Sequence, residues 1–105
     1  MPRPLSERFV LGLDRADESK DGIKLARLCI KANLAVKYVA EGLDVSRMTL
    51  HTWFRGGDIR QRNILKVKKF IDIIEEGLAD GVLPAENLAS AKVFVESEVR
   101  PVLWV

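Results

Sequence analysis

The stretch Val36–Gly56, VKYVAEGLDVSRMTLHTWFRG, decides how the chain folds. Val36, Val39, Ala40 and Leu43 fall at i, i+3, i+4 and i+7, the stripe of an amphipathic helix. Ala40 is small, as a residue must be where a second helix crosses closely. Gly42-Leu43-Asp44 interrupts the pattern, and Asp is one of the few non-glycine residues that tolerate the left-handed backbone of a tight corner. Ser46 then offers its hydroxyl as an N-cap to the free amides of a new first turn. Leu50 and Trp53, at i and i+3, turn that second helix inward and leave Arg47, Met48, His51, Thr52 and Arg55 outward. Gly56-Gly57 ends it, as glycines commonly end helices. Two short helices joined by a tight turn follow from this pattern.

At these residues the chain resembles the helix-turn-helix of the lambda-repressor/Cro-like DNA-binding family. The matching residues are Ala40 at the crossing, Leu43-Asp44-Val45-Ser46 through the turn, Thr49-Leu50 in the second helix, and Trp53 with Gly56 at its end. Val36–Gly56 carries the resemblance, and the neighbouring helices share it only by pattern. Asp44 stands where the family usually has glycine, and Ala35 where a capping Ser or Thr usually opens the first helix. Asp can make the corner, and a missing cap costs only about 1 kcal/mol.

The resemblance implies an all-α fold, a compact bundle of about five helices. It also implies a sequence-specific regulator of transcription, phage or bacterial, that binds double-stranded DNA in the cytoplasm. In such a protein the second helix, near Ser46–Phe54, lies in the major groove. Arg47, Met48, His51 and Thr52 would face base edges there, Met48 against a thymine methyl, and Arg55 would reach base or backbone. Lys37 and Ser46, near the amino ends of the two helices, are placed for phosphate, with Arg60, Arg62, Lys66 and Lys69 flanking them.

The charge distribution agrees with a phosphate partner. From Arg47 to Lys69 there are seven Lys/Arg against Asp58 alone, a balance of +6; from Phe70 to Val105 there are two against seven acids, a balance of −5. A basic block on and after the second short helix is an electrostatic footprint for phosphate. The acidic carboxy-terminal half offers a surface for a protein partner instead.

Length and composition set the remaining bounds. A chain of 105 residues, 48% hydrophobic and 30% charged, suits one globular domain with a single core. No apolar run approaches the ~20 residues of a membrane span, and Met1-Pro2-Arg3-Pro4 does not open a signal peptide. Cys29 is alone, so an internal disulfide is excluded, and it reads as a small core residue. No glycine-rich phosphate loop, paired carboxylates or nucleophile–histidine pairing stands out, and His51 is the sole histidine. No catalytic residue, metal site or cofactor is expected, and the chain reads as non-enzymatic.

Around the central stretch, residues 1–18 are expected to form an amino-terminal arm. Its Phe9–Leu13 patch would pack on the domain as an irregular arm or a short helix; Arg3 and Arg8 are available for DNA, but the acids Glu7, Asp14, Asp17 and Glu18 argue against that use. Residues 19–80 would form the DNA-binding domain, opening with a helix from about Asp21 to Ala32 capped by Ser19 or Asp21. Asn33-Leu34 would make a short corner. Asp58 or Asn63 would cap a helix whose stripe is Ile64, Val67, Phe70 or Ile71, Ile74 and Leu78. Residues 81–105 would form a carboxy-terminal helix, opened by Pro84, running from about Ala85 to Val99 and stopped by Pro101. Its stripe would be Leu88, Ala91, Val95 and Val99.

One helix-turn-helix reads half a site, so a homodimer is expected. The apolar residues left over are Phe94, Val99, Val102, Leu103 and Trp104, and these form the expected dimer interface; the same tail could instead fold back on its own core. Two other function classes stay open. One is a viral DNA-packaging or recombination accessory protein. The other is a protein-interaction module that binds a polymerase or another regulator.

Overall fold

The computed structural model describes residues 20–104, and the expected amino-terminal arm lies outside them. Five helices follow one another: α1 (Asp21–Ala32), α2 (Val36–Leu43), α3 (Arg47–Phe54), α4 (Gln61–Ala79) and α5. The last is α-helical over Leu88–Phe94, widens to a π-helix over Val95–Val99, and is α-helical again over Arg100–Leu103. No strand occurs among the described residues. The structure is all-helical and compact, 31 × 30 × 24 Å.

The two corners of the amino-terminal half are made by left-handed polar residues. Asn33 (φ 57°) ends α1 and Asp44 (φ 55°) ends α2. Asp44 therefore makes the corner that glycine would otherwise make, and its amide donates back to the carbonyls of Ala40 and Glu41. Ala35, with no side chain to offer, is the uncapped start of α2. Ser46 caps α3: its Oγ accepts from the Thr49 amide at 3.1 Å. Elsewhere the expected caps are replaced. Lys20 precedes α1 and Arg60 precedes α4, neither with a side-chain cap bond, and α4 begins at Gln61 rather than at Ile64.

One core runs through all five helices. It joins Leu25 and Cys29 of α1, Val39 and Leu43 of α2, Leu50, Trp53 and Phe54 of α3, Phe70 and Ile74 of α4, and Val95, Val99 and Leu103 of α5. Burial pushes the Cys29 thiol well above its usual range, because a thiolate there would lie in an apolar surround with no compensating charge. Two glycines set how closely the helices approach. A Cβ on Gly22 would lie 2.2 Å from the Trp53 carbonyl oxygen, so the start of α1 rests directly on the backbone of α3. A Cβ on Gly42 would lie 2.8 Å from Val95 Cγ1. Gly42 does not break the first short helix, as the sequence pattern suggests; it belongs to α2 and lets α5 pack against it.

The carboxy-terminal helix departs from expectation at both ends. Asn87, not Pro84, opens it, with Oδ1 accepting from the Ser90 amide at 2.8 Å. The connection before it is tied down: Asn33 Nδ2 donates to the Ala85 carbonyl at 2.7 Å, and the Ala85 amide donates to Ala32 at 2.9 Å. Leu88 is half exposed, and the buried stripe is Ala91, Phe94, Val95, Val99 and Leu103. Pro101 does not stop the helix. A proline inside an α-helix lacks its donor and drives its ring into the carbonyl four residues back. Here the preceding turn is widened, with the Arg100 amide donating to Val95, five residues back, and Pro101 falls in the first turn of the resumed α-helix.

The tail therefore folds back on its own chain. Phe94, Val99 and Leu103, expected at a dimer interface, are buried in the core and have no surface to offer a second copy. Val102 and Trp104 remain partly exposed.

Candidate nucleic-acid interface

Helix α3 is fixed from below and open above. Leu50, Trp53 and Phe54 bury three consecutive contacts into the core, Phe54 being an inward residue that the i, i+3 spacing alone does not single out. The Ser46 cap holds its first turn, and Gly22 lets α1 press on its last. Such anchoring fixes the orientation of the opposite side. There Arg47, Met48, Thr52 and Arg55 are exposed, and His51 is half-buried with its ring edge-on to Phe54 at 6.0 Å. Thr52 Oγ1 donates to the Met48 carbonyl at 3.0 Å, and its γ-methyl lies beside Gly57. Met48, at 80% relative exposure, is the most exposed large apolar residue among those described. The five side chains expected to read bases thus share one face.

The expected phosphate contacts divide into three groups. Arg60, Arg62 and Lys69 are exposed, Arg60 and Arg62 at the amino end of α4. Lys37 is exposed at the start of α2, its Nζ 5.7 Å from the centre of the Tyr38 ring. Ser46 and Lys66 are engaged within the chain. The Ser46 hydroxyl donates to Thr49 Oγ1 at 2.9 Å, so its proton is not available to a phosphate oxygen. Lys66 Nζ sits 3.5 Å from the centre of the Trp104 ring.

The basic end of α4 and the corner between α2 and α3 lie side by side. Leu43, Asp44 and Val45 of the corner, Arg62, Asn63 and Lys66 of α4, and Trp104 line one cleft of about 340 Å³. No family model, curated protein or solved structure matches the chain.

Among the described residues no group of three His, Cys, Asp or Glu side chains could hold a metal ion, and no helix is long and apolar enough to cross a membrane. Two features of the site escape sequence reasoning. The Trp104 contacts join residues 62 and 38 positions apart, beyond any helical period. The close approach at Gly22 has no periodic signal either, since an amino-terminal helical glycine reads only as a weak helix former.

Proposed function

We propose that the chain is a sequence-specific double-stranded DNA-binding regulator of transcription, with α2, the Asp44 corner and α3 acting as a lambda-repressor-like helix-turn-helix. One observation carries this: α3 is clamped into the core by Leu50, Trp53 and Phe54 while presenting Arg47, Met48, His51, Thr52 and Arg55 together on its outer face. A row of cationic, hydroxylic and apolar side chains on a rigid helix matches what the major groove displays. Arginine pairs with guanine O6 and N7, and a methionine or threonine methyl meets the thymine methyl. In such a docking Arg60, Arg62 and Lys37 supply phosphate contacts, which fix register without choosing sequence. Pairing into a homodimer through α5 would draw on Leu88, Val93, Val102 and Trp104, which stay exposed, since Phe94, Val99 and Leu103 are buried in the core.

The test is selection of bound duplexes from a random pool, followed by titration of the recovered sequence and of unselected DNA. The proposal requires an enriched motif bound at least about a thousandfold more tightly than unselected DNA at the same salt. Recovery of no motif, with weak binding to every duplex, would overturn the proposal; assembly into a ring or recruitment of a larger enzyme would favour the packaging- or recombination-accessory alternative. No binding even at low salt would favour the protein-interaction alternative.

A further inference from the structure

We infer that Trp104 is a positioning residue: through it the carboxy-terminal turn latches the basic amino end of α4 to the corner between α2 and α3. The carbonyls at the end of a helix lack intrahelical donors and take partners from outside. In α2 those of Ala40 and Glu41 accept from the amides of Asp44 and Val45. The Gly42 carbonyl accepts from the Trp104 indole, Nε1 at 2.9 Å. The face of the same ring lies under Lys66 Nζ at 3.5 Å. One side chain thus touches α2 with its edge and α4 with its face, and only tryptophan combines a broad π-face with an N–H donor in this way. Trp104 is 42% exposed, so burial alone does not explain its placement. Leu103, buried next to it, anchors the turn that delivers it.

The consequence concerns the cations. An unpartnered lysine in water samples many rotamers, whereas Lys66 is held over a ring beside Arg62, on the wall of the cleft that also contains Asp44 and Val45. The latch therefore sets where the basic end of α4 stands relative to the outer face of α3. Its effect on binding rests on the DNA-binding reading above; the latch itself does not.

The experiment uses the full chain with Trp104→Phe, Trp104→Leu, Lys66→Met and Lys66→Arg. Hydrogen exchange of the Trp104 indole N–H, read by NMR, tests the latch without any ligand. It should be slowed about tenfold or more against a free indole. Lys66→Met should speed it, and Lys66→Arg, which keeps a cation over the ring, should not. Titration with a random-sequence duplex then tests positioning. Trp104→Leu removes no charge, so a change in salt dependence can arise only from displaced cations. Its slope should fall by about one phosphate contact, with Trp104→Phe intermediate. An indole that exchanges freely overturns the latch, whatever DNA does. A protected indole with an unchanged slope in Trp104→Leu overturns the positioning role. A protected indole in a protein that binds no duplex establishes the latch and removes the DNA-binding reading instead. Should Trp104→Leu not fold, indole exchange in the unmodified chain and in Lys66→Met decides the latch, and the salt slope of Trp104→Phe, which also removes no charge, decides the positioning role.

Discussion

Met48 on α3 and Leu103 on α5 are both apolar residues close to an arginine at one end of a helix, yet one is 80% exposed and the other 8%. Leu103 follows a widened turn that aims Val95, Val99 and Leu103 at α2 and α4. Met48 lies opposite the anchored side of α3, where none of the described residues buries it. The two regions teach that apolar character alone does not mark a binding surface. What marks it is an apolar residue held outward by rigid neighbours when the chain had an inward alternative for the rest of the helix. On the DNA-binding reading proposed above, α3 would meet its partner through that outer face, whereas the end of α5 closes its own core.

The sharpest way to break this comparison is to remove what holds α3. Trp53 is buried against the core and its backbone meets Gly22. Trp53→Ala should cost about 3–5 kcal/mol, the usual range for emptying a buried aromatic site. Chemical denaturation with an unchanged m-value would measure it. A loss under about 1 kcal/mol would mean that α3 is not anchored as described.

The other side of the comparison predicts a smaller loss. Leu103→Ala should destabilise by about 2 kcal/mol, the low end for a buried leucine because the residue lies near the surface. A sequence reading that sends the tail to a second copy expects instead a folded, equally stable monomer. Unfolding measured at two protein concentrations separates these, since only a dimer's midpoint moves with concentration.

How much of this was legible beforehand depended on the range of the interaction. The corner at Asp44, the cap at Ser46 and the limits Asp21–Ala32 are decided within a turn or two of chain, and the sequence pattern places all of them. The outward row on α3 follows from the helical period in the same way. The fate of the tail was not legible, because Pro101 reads as a stop unless the widened turn before it is known. Nor was the role of Gly42, whose meaning comes from Val95, more than fifty residues away. Lys66 was legible as a cation and as part of a basic block, but not as the partner of Trp104. Local rules carry no information about which distant ring a flexible side chain will meet.

On the outer face itself the expected effects are in recognition, with little in stability. Arg47 is exposed, so Arg47→Ala should change folding by no more than about 0.5 kcal/mol. If it reads a base edge bidentately, it should cost about 1–3 kcal/mol of discrimination between the selected duplex and unselected DNA. Equal loss on both would make it a phosphate contact.

The smallest effect belongs to Lys69, and it is the cleanest. Both Lys66 and Lys69 lie on α4 within the basic block, but Lys66 is held against Trp104 while Lys69 is exposed, with nothing in the core depending on it. Removing Lys66 changes a charge and a packing contact together. Removing Lys69 changes only a charge. If α4 faces the DNA backbone at that point, Lys69→Ala should weaken every duplex alike and lower the slope of log affinity against log salt by about 0.9, the release associated with one phosphate. Stability should not move, and sequence preference should not move. A slope equal to that of the unmodified chain would put Lys69 on the solvent side of α4. The phosphate footprint at the basic end of α4 would then be confined to Arg60, Arg62 and the latched Lys66, and on that helix the surface that meets DNA would end at the cleft beside Asp44.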